Sequence, residues 1–180
     1  MSYKTTLVSL LTCMLCACNS TEDKTGRSAA RASDDCSENL MRVWWGIQHW
    51  VGNGVIFPPT LASLSEVQVS PTALLCPNTH HQADTMATAE DWTDFIYIAG
   101  EEDRDDLYLA LLISPPENHG GKFGIVAFKG GTTRRLAPDE AKSLIREPWH
   151  FAENKSTQYI EDVRKRITVR VPRSLRATYR

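Results

Sequence analysis

Beyond residue 18 the chain has only two of its five cysteines, Cys36 and Cys76. That is too few for a disulfide-dense scaffold. No stretch reaches the roughly 20 apolar residues that a membrane-crossing helix needs. No Gly-x-Ser-x-Gly elbow is present, which excludes the usual esterase nucleophile. The "GNG" and "HGG" pairs lack the helix and lysine that make a glycine loop cradle phosphate. No internal repeat recurs, so a solenoid is excluded. With 8% aromatic and 23% charged residues the composition is that of an ordinary globular chain. No catalytic residue and no cofactor are expected, and a metal-dependent envelope enzyme stands only as the third alternative, since it would need clustered acids or histidines.

What is present begins with "CMLCACNS", residues 13–20. Cys13 and Cys16 have the CxxC spacing of a metal or redox site, but such a site needs a folded frame. Here one charge, Lys4, is followed by the uncharged run "TTLVSLLTCMLCA", the layout of a secretory signal. Leu15-Cys16-Ala17-Cys18 resembles a bacterial lipobox. The resemblance implies cleavage before Cys18, diacylation of that residue, loss of Cys13 and Cys16, and anchoring in the cell envelope. Asn19 in place of aspartate implies delivery to the outer membrane. Residues 1–17 are then the signal peptide.

Residues 18–34, "CNSTEDKTGRSAARASD", have no apolar period and read as a flexible tether. The rest suits a single domain over 35–148, followed by a basic tail over 149–180. Export places Cys36 and Cys76 in an oxidising compartment, where one disulfide between them is the simplest expectation. Charge is divided unevenly. Residues 18–152 hold eleven Lys and Arg against nineteen Asp and Glu, whereas residues 153–180 hold eight against three.

Asp35 and Glu38 have capping-box spacing. Cys36, Leu40, Val43, Ile47 and Val51 then recur at four and three, one stripe of an amphipathic helix. Gly52-Asn53-Gly54 is expected to stop it. "TDFIYIAG", "LYLALLIS", "KFGIVAFKGG" and "TTRRLA" read as strands, the last two joined through Gly130-Gly131. "PDEAKSLIRE" reads as a short helix with proline at its start. The expectation is an α+β fold. It has one N-terminal amphipathic helix on a small antiparallel meander of about four strands, then a short helix.

The order "CSENLMRVWWGIQHW", "FPPTLASL", "LLCP", "DFIYIAG", "ENHGGKFGIVAFKGGTTRRL" resembles the globular part of type II secretion pseudopilins. It is most similar to an uncharacterised prepilin-type branch, over about residues 36–147. That resemblance implies a pilin-like fold and a structural or secretion-accessory role. Two departures stand out. A lipobox replaces the long apolar filament helix, and Lys129-Gly130-Gly131 stands where the family has an Asp-Gly-His hairpin.

His80, His81 and His119 invite a metal reading, but adjacent histidines diverge and no third ligand lies at useful spacing. They are expected in solvated loops, and no metal site is assigned. "EEDRDD", Glu101 to Asp106, offers oxygen ligands, yet it lacks the turn glycine of an EF-hand and includes Arg104. A charged hairpin is expected. The tail "VRKRITVRVPRSLRATYR" alternates basic and apolar residues. Three readings stand open: docking on anionic lipid or envelope polymer, an added strand lying on the acidic body, or a free end. Nucleic acid is not an expected partner. The expected partners are the membrane, through the lipid on Cys18, and secretion or pilus-like proteins.

Overall fold

The computed structural model describes residues 24–52, 56–102 and 105–179, with side chains from residue 34 onward. Cys13, Cys16, Cys18, Asn53, Gly54 and Arg104 lie outside the described residues, and with them the signal, the lipid site and part of the expected helix stop.

The fold is α+β with a five-stranded antiparallel sheet. Helix α1 spans Lys24–Val51. It takes in residues 24–34, which the sequence reading assigned to the tether, and Asp35 lies inside it rather than at its cap. Its inner stripe is the expected one, with Cys36, Leu40, Val43 and Ile47 all fully buried. A chain of short turns follows, including the 3-10 helices Leu61–Val67 and Pro71–Leu74. The short helix α2, Ala89–Trp92, leads into strand β1, Ile96–Ala99. Strands β2, Ala110–Ser114, β3, Gly124–Phe128, and β4, Thr133–Leu136, complete a meander. Helix α3 is Pro138–Arg146, and helix α4 is Thr157–Arg166. Strand β5, Thr168–Arg170, closes the order β4-β3-β2-β1-β5.

Strands β1 to β3 are buried along their whole length because the sheet is covered on both faces. Side chains alternate with the pleat. Tyr97, Ala99, Ile125 and Ala127 pack toward α1. Ile96, Ile98, Val126 and Phe128 pack with Ala141, Leu144 and Ile145 of α3. The alternation slips once, in β2. Leu111 and Leu112 both join the α1 side, and the pairing register shifts between Ala110 and Leu112. One extra residue in a strand has this effect on side-chain phase.

Helix α3 starts with Pro138, carries Asp139 and Glu140 in its first turn and Arg146 in its last. Each position suits the helix dipole or its unsatisfied ends. It packs so close to β3 that a Cβ on Gly124 would stand 2.5 Å from the Ala141 methyl.

The basic tail is not a free end. Ser156 Oγ caps α4 by accepting from the Tyr159 N–H. Strand β5 pairs antiparallel with β1, Val169 opposite Ile98. Leu175 is buried with the α3 layer, and the Tyr179 hydroxyl hydrogen-bonds Glu117. The charged hairpin expected at Glu101–Asp106 is also corrected. Glu101 and Asp105 are buried, and Arg166 grips Asp105 through two nitrogens at 2.7 and 3.1 Å. Asp106 caps backbone N–H groups of Tyr108, Glu153 and Asn154.

Candidate functional site

Four separate pieces of the chain meet at the α1 face of the sheet. Cys36 comes from the buried stripe of α1. One turn later, Asn39 Nδ2 donates to the Leu75 carbonyl at 2.9 Å, which ties α1 to the next piece, the loop bearing Cys76. The third piece is Ser114, the last residue of β2. The fourth is His119, the last residue of the 3-10 turn Pro116–His119 that follows, ahead of Gly120 in a left-handed conformation.

Asp94, just ahead of β1, organises the Cys76 loop and is 1% exposed. Its Oδ2 accepts the Cys76 backbone N–H at 2.8 Å and the Thr79 hydroxyl at 2.5 Å. Its Oδ1 faces His81 Nδ1 at 2.5 Å. A buried carboxylate held this way is compensated rather than stranded.

The two sulfurs and one ring nitrogen form a triangle. Cys36 Sγ lies 3.8 Å and Cys76 Sγ 4.0 Å from His119 Nε2. All three atoms fall within 4.8 Å of one another, and all three residues are buried. Ser114 Oγ sits beside them, 2.9 Å from Nε2 and 3.3 Å from Cys36 Sγ. The far ring nitrogen, Nδ1, meets the Asn78 carboxamide at 2.9 Å. Phe123 stacks on the imidazole at 4.4 Å. Asn118 steadies the floor by donating to the Asp94 carbonyl and to Ser114 Oγ. A shallow opening lined by Asn78, Asn118, His119, Gly120, Lys122 and Phe123 reaches the imidazole from outside.

The two thiols share their electrostatics. Cys76 is pulled down to about 5, first by hydrogen bonding from Cys36 and then, against burial, by His119 and the Asn78 backbone. Cys36 is pushed up, first by that same hydrogen bond to Cys76 and then by burial. The two sulfurs titrate as a coupled pair, in which the hydrogen bond between them lets one proton leave more readily than the other.

Cys36 and Cys76, the expected disulfide pair, are brought side by side as free thiols. The pair is in contact, but as part of a larger group in which each sulfur also faces His119. The expectation of a solvated His119 is corrected: it is 6% exposed, held under Phe123 and Asn78. His80 is exposed, and His81 is half-exposed with its ring on Asp94. The sequence reading missed Ser114, Asp94 and Asn78. Ser114 and Asp94 sat in segments read only as strands, and Asn78 in a stretch read only as a loop.

The motifs that carried the resemblance are the ones that interlock. Cys36 and Asn39 meet Leu75 and Cys76, His119 joins them, and the Tyr97 hydroxyl donates to the Pro58 carbonyl at 2.7 Å. No family model, curated protein or solved structure matches the chain.

Proposed function

We propose that this chain is a lipid-anchored protein of the bacterial cell envelope, tethered through Cys18 to the outer membrane. Its pseudopilin-like domain has a binding or structural role and no catalytic one. The anchor rests on the lipobox Leu15-Cys16-Ala17-Cys18. The pilin-like reading draws support from the interlocking of its motif residues around one cluster.

One observation carries the non-catalytic reading. Ser114 and Cys36 are fully buried and Cys76 is 1% exposed. Ser114, His119 and Asn78 do line up as a hydroxyl, a ring and an orienting amide. Such an arrangement can activate a nucleophile only where a substrate carbonyl reaches it. Here the hydroxyl faces the α1 core, and the outer opening ends on the imidazole.

A second reading, an accessory of a type II secretion or pilus-like machine, has its own observation. Trp45 is 65% exposed on α1, at the rim of a groove lined by Arg42, His49, Val67 and Val69. Exposed tryptophan beside arginine is the composition of interface anchors.

Intact mass of the chain extracted from membranes tests the anchor. A species beginning at Cys18 with added acyl mass is expected, and Cys18→Ser releases the protein from the membrane fraction. An unacylated native chain contradicts the reading. Labelling the folded chain with a fluorophosphonate tests the second half, with no adduct on Ser114 expected.

A further inference from the structure

We propose that Cys36, Cys76 and His119 form a binding site for a divalent thiophilic cation of the zinc class. The inference stands on the cluster's geometry with both thiols reduced, and its test is separate from that of the lipid anchor.

Distance comes first. Zinc–sulfur bonds of about 2.3 Å and zinc–nitrogen bonds of about 2.0–2.1 Å place tetrahedral sulfur and nitrogen corners roughly 3.6 Å apart. The two sulfur–nitrogen distances here are 3.8 and 4.0 Å. Small rotamer adjustments bring the corners to bonding distance. The side chains arrive from α1, from the Cys76 loop and from the turn after β2, so they converge on one point rather than lying along one element.

Charge comes second. Two thiolates and a neutral imidazole around a divalent ion sum to zero, the one charge state a buried site accommodates without a further partner. Binding displaces to solvent whatever protons the thiol pair still holds. A monovalent ion would leave one uncompensated negative charge beside Asp94.

The surroundings come third. Metal-bound histidine needs its other nitrogen held by a hydrogen-bond acceptor. Asn78 places its Nδ2 2.9 Å from Nδ1, so its carboxamide must turn over to offer the oxygen as acceptor. With its carboxamide turned so that the oxygen accepts Nδ1–H, the Nε2 lone pair points to the sulfurs. Ser114 Oγ, within 3.3 Å of both Cys36 Sγ and Nε2, either completes the fourth corner or donates to the Cys36 thiolate. The opening over His119 supplies the entry path.

The test uses the full-length chain in detergent, reduced and chelator-stripped under nitrogen, with its thiols counted before titration. Cobalt(II) serves as a spectroscopic stand-in and is then challenged with zinc. One cobalt per chain is expected, with thiolate-to-cobalt charge-transfer bands that one equivalent of zinc abolishes. His119→Gln and Cys76→Ser each weaken cobalt binding at least about 100-fold, and Asn78→Ala, at the outer edge, weakens it about 10- to 100-fold. Circular dichroism confirms that each variant is folded. If Cys76→Ser does not fold, His119→Gln and Asn78→Ala decide. The absence of charge-transfer bands on a chain with reduced Cys36 and Cys76 overturns the proposal. So do bands that persist in folded His119→Gln, which would place the metal on another set of thiols.

Discussion

Trp44 donates its indole N–H to the Lys129 carbonyl at 2.9 Å, and its ring closes over Gly131 in the β3–β4 turn. This one side chain fastens α1 to the far hairpin of the sheet. Gly131 has φ +79°, and a Cβ there would stand 2.7 Å from Trp44 Cζ2. Backbone strain and a ring clash therefore add. Gly131→Ala is expected to destabilise the fold by about 3 kcal/mol. Trp44→Phe, which keeps much of the packing and loses the hydrogen bond, is expected to lose about 1 kcal/mol. Urea unfolding of the two variants checks the ratio. Equal losses would show that the turn does not depend on glycine.

Arg166 is the second fastener. It binds Asp105 with two nitrogens and lies 3.4 Å from Glu102. Asp105 and Glu102 hold the guanidinium in its charged form. Removing Arg166 leaves the buried Asp105 carboxylate uncompensated, so Arg166→Ala is expected to cost about 3 kcal/mol. The double variant Arg166→Met with Asp105→Leu removes both charges and is expected to recover most of that loss. A double variant as unstable as Arg166→Ala would contradict the account of Asp105 as the stranded partner.

Glu101 gives the fold a pH dependence of defined sign. It is fully buried, and neither carboxyl oxygen has a hydrogen-bond partner among the described residues. Burial, helped by Asp105, pushes its pKa well above the ordinary carboxyl value, against Lys129 and Arg166. The native state thus holds a proton that the unfolded chain loses near about 4.3. The group's stabilisation is complete below that pH and declines as pH rises toward the raised native value. Glu101→Gln keeps the shape without the titration. Its urea midpoint is expected to fall less than the parent's between about pH 5 and pH 8 and to exceed the parent's at the upper end. Parallel pH profiles would contradict this.

The zinc-class site predicts a further change in stability. A ligand that binds only the native state raises the unfolding free energy by about 4 kcal/mol at a thousandfold excess over its dissociation constant. Adding zinc to the reduced chain is expected to raise the melting temperature, and a chelator is expected to reverse the shift. Folded His119→Gln should show neither response. An equal shift in that variant would assign the effect to another site.

The fold was readable where local pattern and burial agree. The stripe through Cys36, Leu40, Val43 and Ile47 placed α1 against a core, and four β-rich runs gave four strands of the sheet. The fifth strand was not readable with the same clarity. Residues Thr168–Arg170 alternate in exposure, and only pairing with β1 distinguishes them from an extended end. The start of α1 was misplaced because residues 24–34 carry no apolar stripe that a sequence pattern can register. The site was half readable. Cys36 and Cys76 could be paired by compartment alone, but His119 lies 83 residues beyond Cys36 and 43 beyond Cys76. Spacing rules for metal ligands act over short loops, and here the meander brings the third ligand in. Glu101 was read as a solvated turn acid because its neighbours in sequence are charged. In the fold it is fully buried, its backbone carbonyl accepting from the Phe57 N–H and Asp105, Lys129 and Arg166 standing as its charged neighbours.

Zinc-edge X-ray absorption on the reduced, zinc-loaded chain is the most direct measurement of the buried triangle. Two sulfur neighbours at about 2.3 Å and one imidazole nitrogen at about 2.0–2.1 Å are predicted. In folded His119→Gln the imidazole signal should disappear. A shell made only of oxygen and nitrogen, or one unchanged by loss of His119, would contradict the assignment of Cys36, Cys76 and His119 as a metal site.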